Sequence, residues 1–266
     1  MHLTQHVNFE ICTECNLGDL HTKCPNKHPN RNKTLPKDGP IPDDMIVDMV
    51  EALYTKHGFN GHIGFHYYNE PLMAADRMWE LMARIKQRVP RATFVLWTNG
   101  LLLPADCSRF AAFSEIHVSY YGISIPHFAD LVASVRCPVQ FVHWELDDRL
   151  IAIGKGGDLN KSTEGCNRMF TELDIDYYGN VHLCCYDWEG TGTVWNVQID
   201  GLAWCLEVWD ALRHQVSSNP IGDDAPETCQ RCKVRSMGML SYFIPEIACK
   251  ARDFLAISST LPESHG

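Results

Sequence analysis

The sequence predicts an α/β protein built on a parallel sheet, open or curled into a partial barrel, with a smaller β-hairpin and helix unit behind it. Three observations predict this. Strand-like and helix-like apolar periods alternate from about residue 6 to 147, the pattern that right-handed crossovers convert into a parallel sheet. The register breaks after Asp147 into a polar, glycine-rich stretch. Beyond it, two short strand-like runs flank Tyr178-Gly179-Asn180, a hairpin signal. We therefore expect two domains, 1–150 and 151–266.

The elements follow in order. His6 to Ile11 is an apolar run of strand length, and the Pro-, Asn- and Lys-rich stretch from Asn26 to Pro42 is a loop. Met45, Ile46, Met49, Val50 and Leu53 repeat at helical spacing. His62 to Tyr68 predicts a second strand, and Met78, Leu81, Met82, Ile85 and Val89 a second helix. Ala92 to Trp97 is a strand ending in the turn signal Thr98-Asn99-Gly100. Ile116 to Tyr121, a helix over about 126–135 and Val139 to Leu146 complete the series. In the second part, Gly154-Lys155-Gly156-Gly157 lacks the Gly-Lys-Ser/Thr ending of a phosphate loop and is a connection. Thr171 to Ile175 and Val181 to Cys185 form the hairpin, and Leu202, Leu206, Trp209 and Leu212 share one helix face.

Length and composition narrow the function. At 266 residues, with 45% hydrophobic and 21% charged, the chain can bury a real core. A formal charge of −10 with no basic stripe excludes a nucleic-acid or anionic-membrane surface. The start Met1-His2-Leu3-Thr4-Gln5-His6 lacks a signal-peptide pattern and no apolar run reaches spanning length, so a cytoplasmic protein without membrane contact is expected. In a reducing compartment twelve unevenly clustered cysteines point to metal or redox use rather than disulfides.

Those cysteines form two groups. Cys12, Cys15 and Cys24 follow the first strand. Cys166, Cys184, Cys229 and Cys232, at intervals of 18, 45 and 3 residues, come from separate elements and need a common ligand. Ligands of parallel sheets bind beyond the carboxyl ends of the strands. Cys12 to Cys24, Asn69-Glu70 and Thr98-Asn99 all fall there, after strands one, two and three.

The residues carry a family resemblance. Asn8-Phe9-Glu10-Ile11 followed by Cys15-Asn16-Leu17 resembles the first strand and cluster loop of the radical S-adenosylmethionine (SAM) enzymes. Tyr68-Asn69-Glu70-Pro71-Leu72 resembles the family's GGEPL segment, and Thr98-Asn99-Gly100 its TNG turn. The second half is similar to the SPASM/twitch extension, through Cys166, Gly179-Asn180-Val181, Cys184-Cys185-Tyr186-Asp187, the Trp209 helix, Cys229 and Cys232. Its cysteine intervals resemble those of twitch-domain dehydrogenases of the 2-deoxy-scyllo-inosamine dehydrogenase type.

The resemblance implies a partial (β/α)6 barrel with a C-terminal twitch domain. It implies two [4Fe–4S] clusters, one binding SAM through an iron left open by three protein thiolates and one auxiliary. It also implies reductive SAM cleavage and hydrogen-atom abstraction from an alcohol, sugar-like or peptide substrate, with a flavodoxin- or ferredoxin-type reductant. Glu70 and Asn69 would then meet the SAM ammonium, Thr98, Asn99 and Ser119 its ribose or methionine part, and Arg149 the substrate. Hydroxyls equally cap turns, and a linker arginine is equally a surface residue. Epimerisation or cross-linking of a peptide is the alternative reaction. A noncatalytic cluster- or zinc-binding protein on a degenerate scaffold is the alternative of a different class.

The first loop departs from the family's Cys-x3-Cys-x2-Cys. Cys12, Cys15 and Cys24 would supply three thiolates; Cys15, His21 and Cys24 would keep the last spacing with an imidazole in the middle. Imidazole ligation raises the potential and SAM cleavage needs a low one, which favours the thiolates. A third reading is that the loop no longer holds a working cluster. At the second group four thiolates also satisfy structural zinc. Cys184 and Cys185, read as strand neighbours, would face opposite ways, with Cys184 the ligand.

Overall fold

The structure is a computed structural model that describes residues 5–18, 20, 24–28, 31, 37, 39–143, 170–190, 195–217, 226–232 and 249–250. Arg149, Cys166, His21 and the Gly154–Gly157 run lie outside the described residues. The strands are β1 (His6–Phe9), β2 (His62–Gly64), β3 (Thr93–Thr98), β4 (Glu115–Tyr120), β5 (Val139–His143), β6 (Glu172–Ile175), β7 (Val181–His182) and β8 (Cys249–Lys250). The helices are α1 (Asp43–Lys56), α2 (Ala75–Arg88), α3 (Phe128–Ser134), α4 (Leu202–Ser217) and α5 (Glu227–Arg231).

One sheet runs β7-β6-β1-β2-β3-β4-β5-β8. β6, β1, β2, β3, β4 and β5 are mutually parallel neighbours, whereas β7 and β8 pair antiparallel at the edges. The expected α/β partial barrel is observed, with one difference in order. The sixth parallel strand is the first arm of the hairpin that the sequence analysis assigned to the second unit, and it adds beside β1. The register is fixed by the pleat: His6 opposes Glu172, Asn8 opposes Asp174, and Phe9 opposes Ile175. A one-residue slip would turn Phe9 and Ile175 off the apolar side.

The apolar side packs under the helices. Val7, Phe9, Ile63, Phe94, Leu96, Ile116, Val118, Phe141, Leu173 and Ile175 join Ile46, Val50 and Leu53 of α1 and Met78, Leu81 and Ile85 of α2 in one core. Each buried Ile, Leu or Phe stabilises by about 1.5–3 kcal/mol relative to exposure. α1 starts after Pro42 with Asp43 and Asp44 in its first turn, where the helix dipole favours carboxylates. Arg77 of α2 joins the helix layer to the sheet end: it donates to the Ile11 and Ile41 carbonyls and to Asp43 Oδ1 at 2.5, 3.0 and 2.6 Å.

Two predicted strands end earlier than their apolar patterns. β2 stops at Gly64 because the Tyr67 amide donates to Asn69 Oδ1 at 2.9 Å and the Tyr68 amide to Glu10 Oε1 at 3.2 Å, pulling the chain out of the ladder. β7 stops at His182, and Cys184 and Cys185 sit in the turn that follows. Among the described residues no helix is long and apolar enough to cross a membrane.

Candidate active site

The carboxyl ends of β1, β2 and β3 are tied together by one buried carboxylate. Glu70, only 2% exposed, accepts from the Leu72 amide at 3.1 Å, from Thr98 Oγ1 at 2.8 Å and from the Asn99 amide at 2.7 Å. Its own amide donates to the Glu14 carbonyl at 2.9 Å, which draws in the loop after β1. Burial pushes the Glu70 carboxyl up to about 7, against the opposing pull of those three donors. The sequence reading aimed this carboxylate at a ligand ammonium; the structure adds that it braces the segment after β2 against the end of β3. The Thr98 hydroxyl is engaged in the same brace and also accepts from the Gly100 amide at 3.0 Å. Gly100 holds φ of 78°, and a Cβ there would stand 2.8 Å from Ile125, so the turn requires glycine.

Two asparagines flank the brace and face two cysteines. Asn69 Nδ2 donates to Cys12 Sγ at 3.4 Å and to the Phe65 carbonyl at 3.1 Å. Asn99 Nδ2 lies 3.9 Å from Cys15 Sγ and donates to Asn16 Oδ1 at 2.7 Å. Burial raises the Cys12 thiol above its ordinary value. Cys24 stands at the N-cap of the 3-10 turn Pro25–Lys27 with no side-chain capping bond, half-buried. Ser119 lies near the carboxyl end of β4, half-buried. Thiolates flanked by N–H donors are the donor chemistry of an iron–sulfur cluster. Among the described residues no three His, Cys, Asp or Glu are gathered as a single metal ion would need. A four-iron cluster spreads its thiolates wider than one ion does, and the cysteines of this loop fit it by donor type.

A salt bridge that the sequence reading missed closes the floor of this end. Glu10, fully buried, is met by Arg31 Nη2 at 2.5 Å and by the amides of Tyr68 and Tyr177, each at 3.2 Å. Burial would lower the Arg31 pKa, but the Glu10 carboxylate outweighs it and the guanidinium is held well above its usual range. Arg31 also lies over the Tyr68 ring at 5.1 Å. The signal was the acidic residue at an apolar strand's end, which has to find a buried cation.

The second cysteine group attaches to the same end. Cys184 packs with Leu183, Val216 and buried Cys229. Its thiol is held well above the usual range by burial and then by the nearby Cys185, Cys229 and Cys232. Cys229 and Cys232 bracket the last turn of α5, the Cys232 amide donating to the Cys229 carbonyl at 3.4 Å. Cys185 instead packs against Tyr67, Tyr68 and Trp188. The two neighbours thus pack in different clusters within a turn rather than along a strand, and Cys185 remains close enough to raise the Cys184 thiol. The Tyr67 hydroxyl donates to the Cys184 carbonyl at 3.4 Å and the Tyr68 hydroxyl to the Cys185 carbonyl, so the segment after β2 carries both groups. Behind them, buried Asp176 meets His182 at 3.2 Å and Thr228 donates to Asp187 Oδ1 at 2.8 Å.

No family model matches the chain. It is 25% identical over 118 residues to the S-adenosyl-L-methionine-dependent 2-deoxy-scyllo-inosamine dehydrogenase of Niallia circulans, a match spanning 44% of this chain and 43% of that protein. Among solved structures, BtrN in complex with AdoMet and 2-DOIA superposes with a TM-score of 0.64 at 18% identity, over 87% of this chain and 93% of that one. BtrN in an open conformation superposes with 0.59 at 18% identity, over 87% and 92%. The chain therefore shares the fold of BtrN, and the resemblance read from its motifs is matched in both sequence and fold.

Proposed function

We propose that this chain is a radical SAM oxidoreductase with a SAM-cleaving core over about 1–150 and a twitch unit over about 151–266. The observation that carries the reading is the convergence of Cys12, Cys15, Asn69, Glu70, Thr98 and Asn99 on one end of the sheet, with the Cys184, Cys229 and Cys232 group fastened to it by Tyr67 and Tyr68. In this reading Cys12, Cys15 and Cys24 hold one [4Fe–4S] cluster, and Cys166, Cys184, Cys229 and Cys232 hold an auxiliary one. When bound, the first cluster and SAM supply reductive cleavage of the sulfonium and a hydrogen-atom acceptor, and the auxiliary cluster supplies an electron acceptor.

The chain's own residues do the positioning. Asn69 and Asn99 direct N–H groups at the sulfurs of Cys12 and Cys15. The Glu70 brace fixes the spacing between those asparagines, and the Glu10–Arg31 pair keeps water from the floor. Arg149 is the proposed substrate contact and Ser119 a contact to SAM. The substrate is a small alcohol or amino alcohol, by likeness to the dehydrogenase of Niallia circulans, and the electron donor a flavodoxin- or ferredoxin-type protein.

Anaerobic reconstitution followed by iron, sulfide and zinc counts, with a 5′-deoxyadenosine assay under dithionite, tests the proposal. We expect about eight irons per chain, from two four-iron clusters, and SAM-dependent 5′-deoxyadenosine. A colourless protein holding zinc and forming none would overturn it.

A further inference from the structure

The limb that carries Cys24 returns to the sheet end through one guanidinium. Eight residues separate Cys15 from Cys24, enough to reach about 30 Å when extended. Chain connection alone therefore lets Cys24 lie far from Cys12 and Cys15. A second constraint has to bring it back.

The limb is first made stiff. Pro25 opens the 3-10 turn Pro25–Lys27 directly after Cys24, and the His28 amide closes it on the Pro25 carbonyl at 3.0 Å. The Arg31 amide then donates to the His28 carbonyl at 2.9 Å. The Arg31 side chain folds back over the turn, its Nη1 donating to Asn26 Oδ1 at 2.8 Å. Cys24, Asn26 and Arg31 thus belong to one small unit.

The unit is then seated. Arg31 Nη2 meets both oxygens of Glu10 at 2.5 Å, and Glu10 lies two residues before Cys12. That carboxylate cannot follow the limb outward. It is fully buried at the end of β1, and its own amide donates to the Ile175 carbonyl of β6 at 2.8 Å. Its oxygens also accept from the Tyr68 and Tyr177 amides. Two ring contacts widen the seat: Arg31 lies over Tyr68 at 5.1 Å, and His28 stands edge-on to buried Trp188 at 4.6 Å.

A buried ion pair is a weak source of stability, because taking two charges out of water offsets most of their attraction. What an arginine supplies is geometry. A planar fork that meets a carboxylate and a side-chain carbonyl together fixes both distance and direction, which a point charge does not. Here the fork joins the segment after Cys24 to the segment before Cys12.

We propose that Arg31 and Asn26 are positioning residues for the first cysteine site: by gripping Asn26 with one nitrogen and Glu10 with the other, Arg31 sets Cys24 at the strand end from which Cys12 and Cys15 extend. The inference rests on the proposed function, since it concerns the ligands of the proposed first cluster. Every contact of the seat is between protein atoms, so it holds in the iron-free chain as well.

The test is amide hydrogen exchange on the iron-free full chain, followed by electron paramagnetic resonance of the reconstituted, reduced chain with and without SAM. Arg31→Met removes the fork, Asn26→Ala leaves the buried pair intact, and Asn26→Asp keeps the acceptor. Asn26 Nδ2 has no hydrogen-bond partner among the described residues, so the aspartate loses no bond there. We expect peptides spanning 24–31 to exchange about tenfold faster or more in Arg31→Met and Asn26→Ala, the effect of one lost hydrogen bond to a charged group. Peptides of β3 and β4 should stay as protected as in the wild type. In the same two variants the signal that changes on SAM addition should fall, while the signal that ignores SAM stays. Asn26→Asp should match the wild type in both measurements. Unchanged exchange in Asn26→Ala, a loosened limb with the SAM-responsive signal intact, or an Asn26→Asp as defective as Asn26→Ala each overturns the proposal. Should Arg31→Met fail to fold, the two asparagine variants decide alone. A wild type with no SAM-responsive signal ends the radical reading instead, and the exchange data still show whether Arg31 and Asn26 hold the Cys24 limb.

Discussion

The side-chain amide of Asn69 donates to the sulfur of Cys12 across 3.4 Å, joining the segment after β2 to the loop after β1. An N–H directed at a ligand sulfur disperses its negative charge and favours the reduced cluster, raising its potential. Asn69→Leu is therefore expected to bind the first cluster at a lower potential, read by redox titration followed by electron paramagnetic resonance. Cys12→Ala should lose about half of the iron and SAM cleavage, whereas His21→Ala should keep both. The reverse pattern would move the third ligand to His21.

Glu70 answers three donors from inside the protein, so its removal acts on the whole strand end. Glu70→Leu strands the Leu72 and Asn99 amides and the Thr98 hydroxyl, at about 1–3 kcal/mol for each donor that stays buried and unmet. Urea unfolding should show that loss. Glu70→Gln keeps the shape but turns one acceptor into a donor facing donors, and SAM affinity should fall with both clusters retained. SAM affinity unchanged in both variants would mean that the brace does not position the site.

Cys184 and Cys185 differ in surroundings although they are neighbours. Cys184→Ala is expected to lose four irons, because its sulfur shares a neighbourhood with Cys229 and Cys232. Cys185→Ala should keep them, since Cys185 packs against Tyr67, Tyr68 and Trp188. Equal iron loss would place both thiols on one cluster.

The order of elements was legible because α1 and α2 each bury one apolar face and β3 and β4 are short apolar runs buried on both sides. The site segments were legible through their position just after strands. What was not legible depends on contacts distant in sequence. β6 joins β1 across 166 residues, from Asn8 to Asp174. Arg31, in a loop with no apolar period, is held by Glu10, and no local pattern announces that pairing. The brace at Glu70 was not legible because its donors lie on two segments, Leu72 beside it and Thr98 and Asn99 at the end of β3, and only the fold brings the second to it. The polar side of the sheet was present in the sequence as alternate positions of β1 and β4, and the parallel register sets them on one face.

His66, whose ring lies beside that of Trp97 at 5.7 Å, should be visible in acid stability. Burial lowers the His66 pKa to about 3, with His6 and His117 adding to the effect, while the unfolded chain takes up the proton near the ordinary histidine value of about 6.5. Between those two values the unfolded state binds the proton and the folded state does not. The stabilisation is thus complete above about pH 6.5 and is lost as the pH falls toward 3, with a slope of about 1.4 kcal/mol per pH unit for one proton. His66→Phe removes the titrating group and keeps a ring beside Trp97. Its unfolding free energy, measured in urea from pH 7.5 down to 4.5, should fall less steeply with acid than that of the wild type, the two curves diverging only below about pH 6.5. Parallel curves over the whole range would mean that His66 is protonated in the folded protein, and that its ring meets water rather than the buried interior.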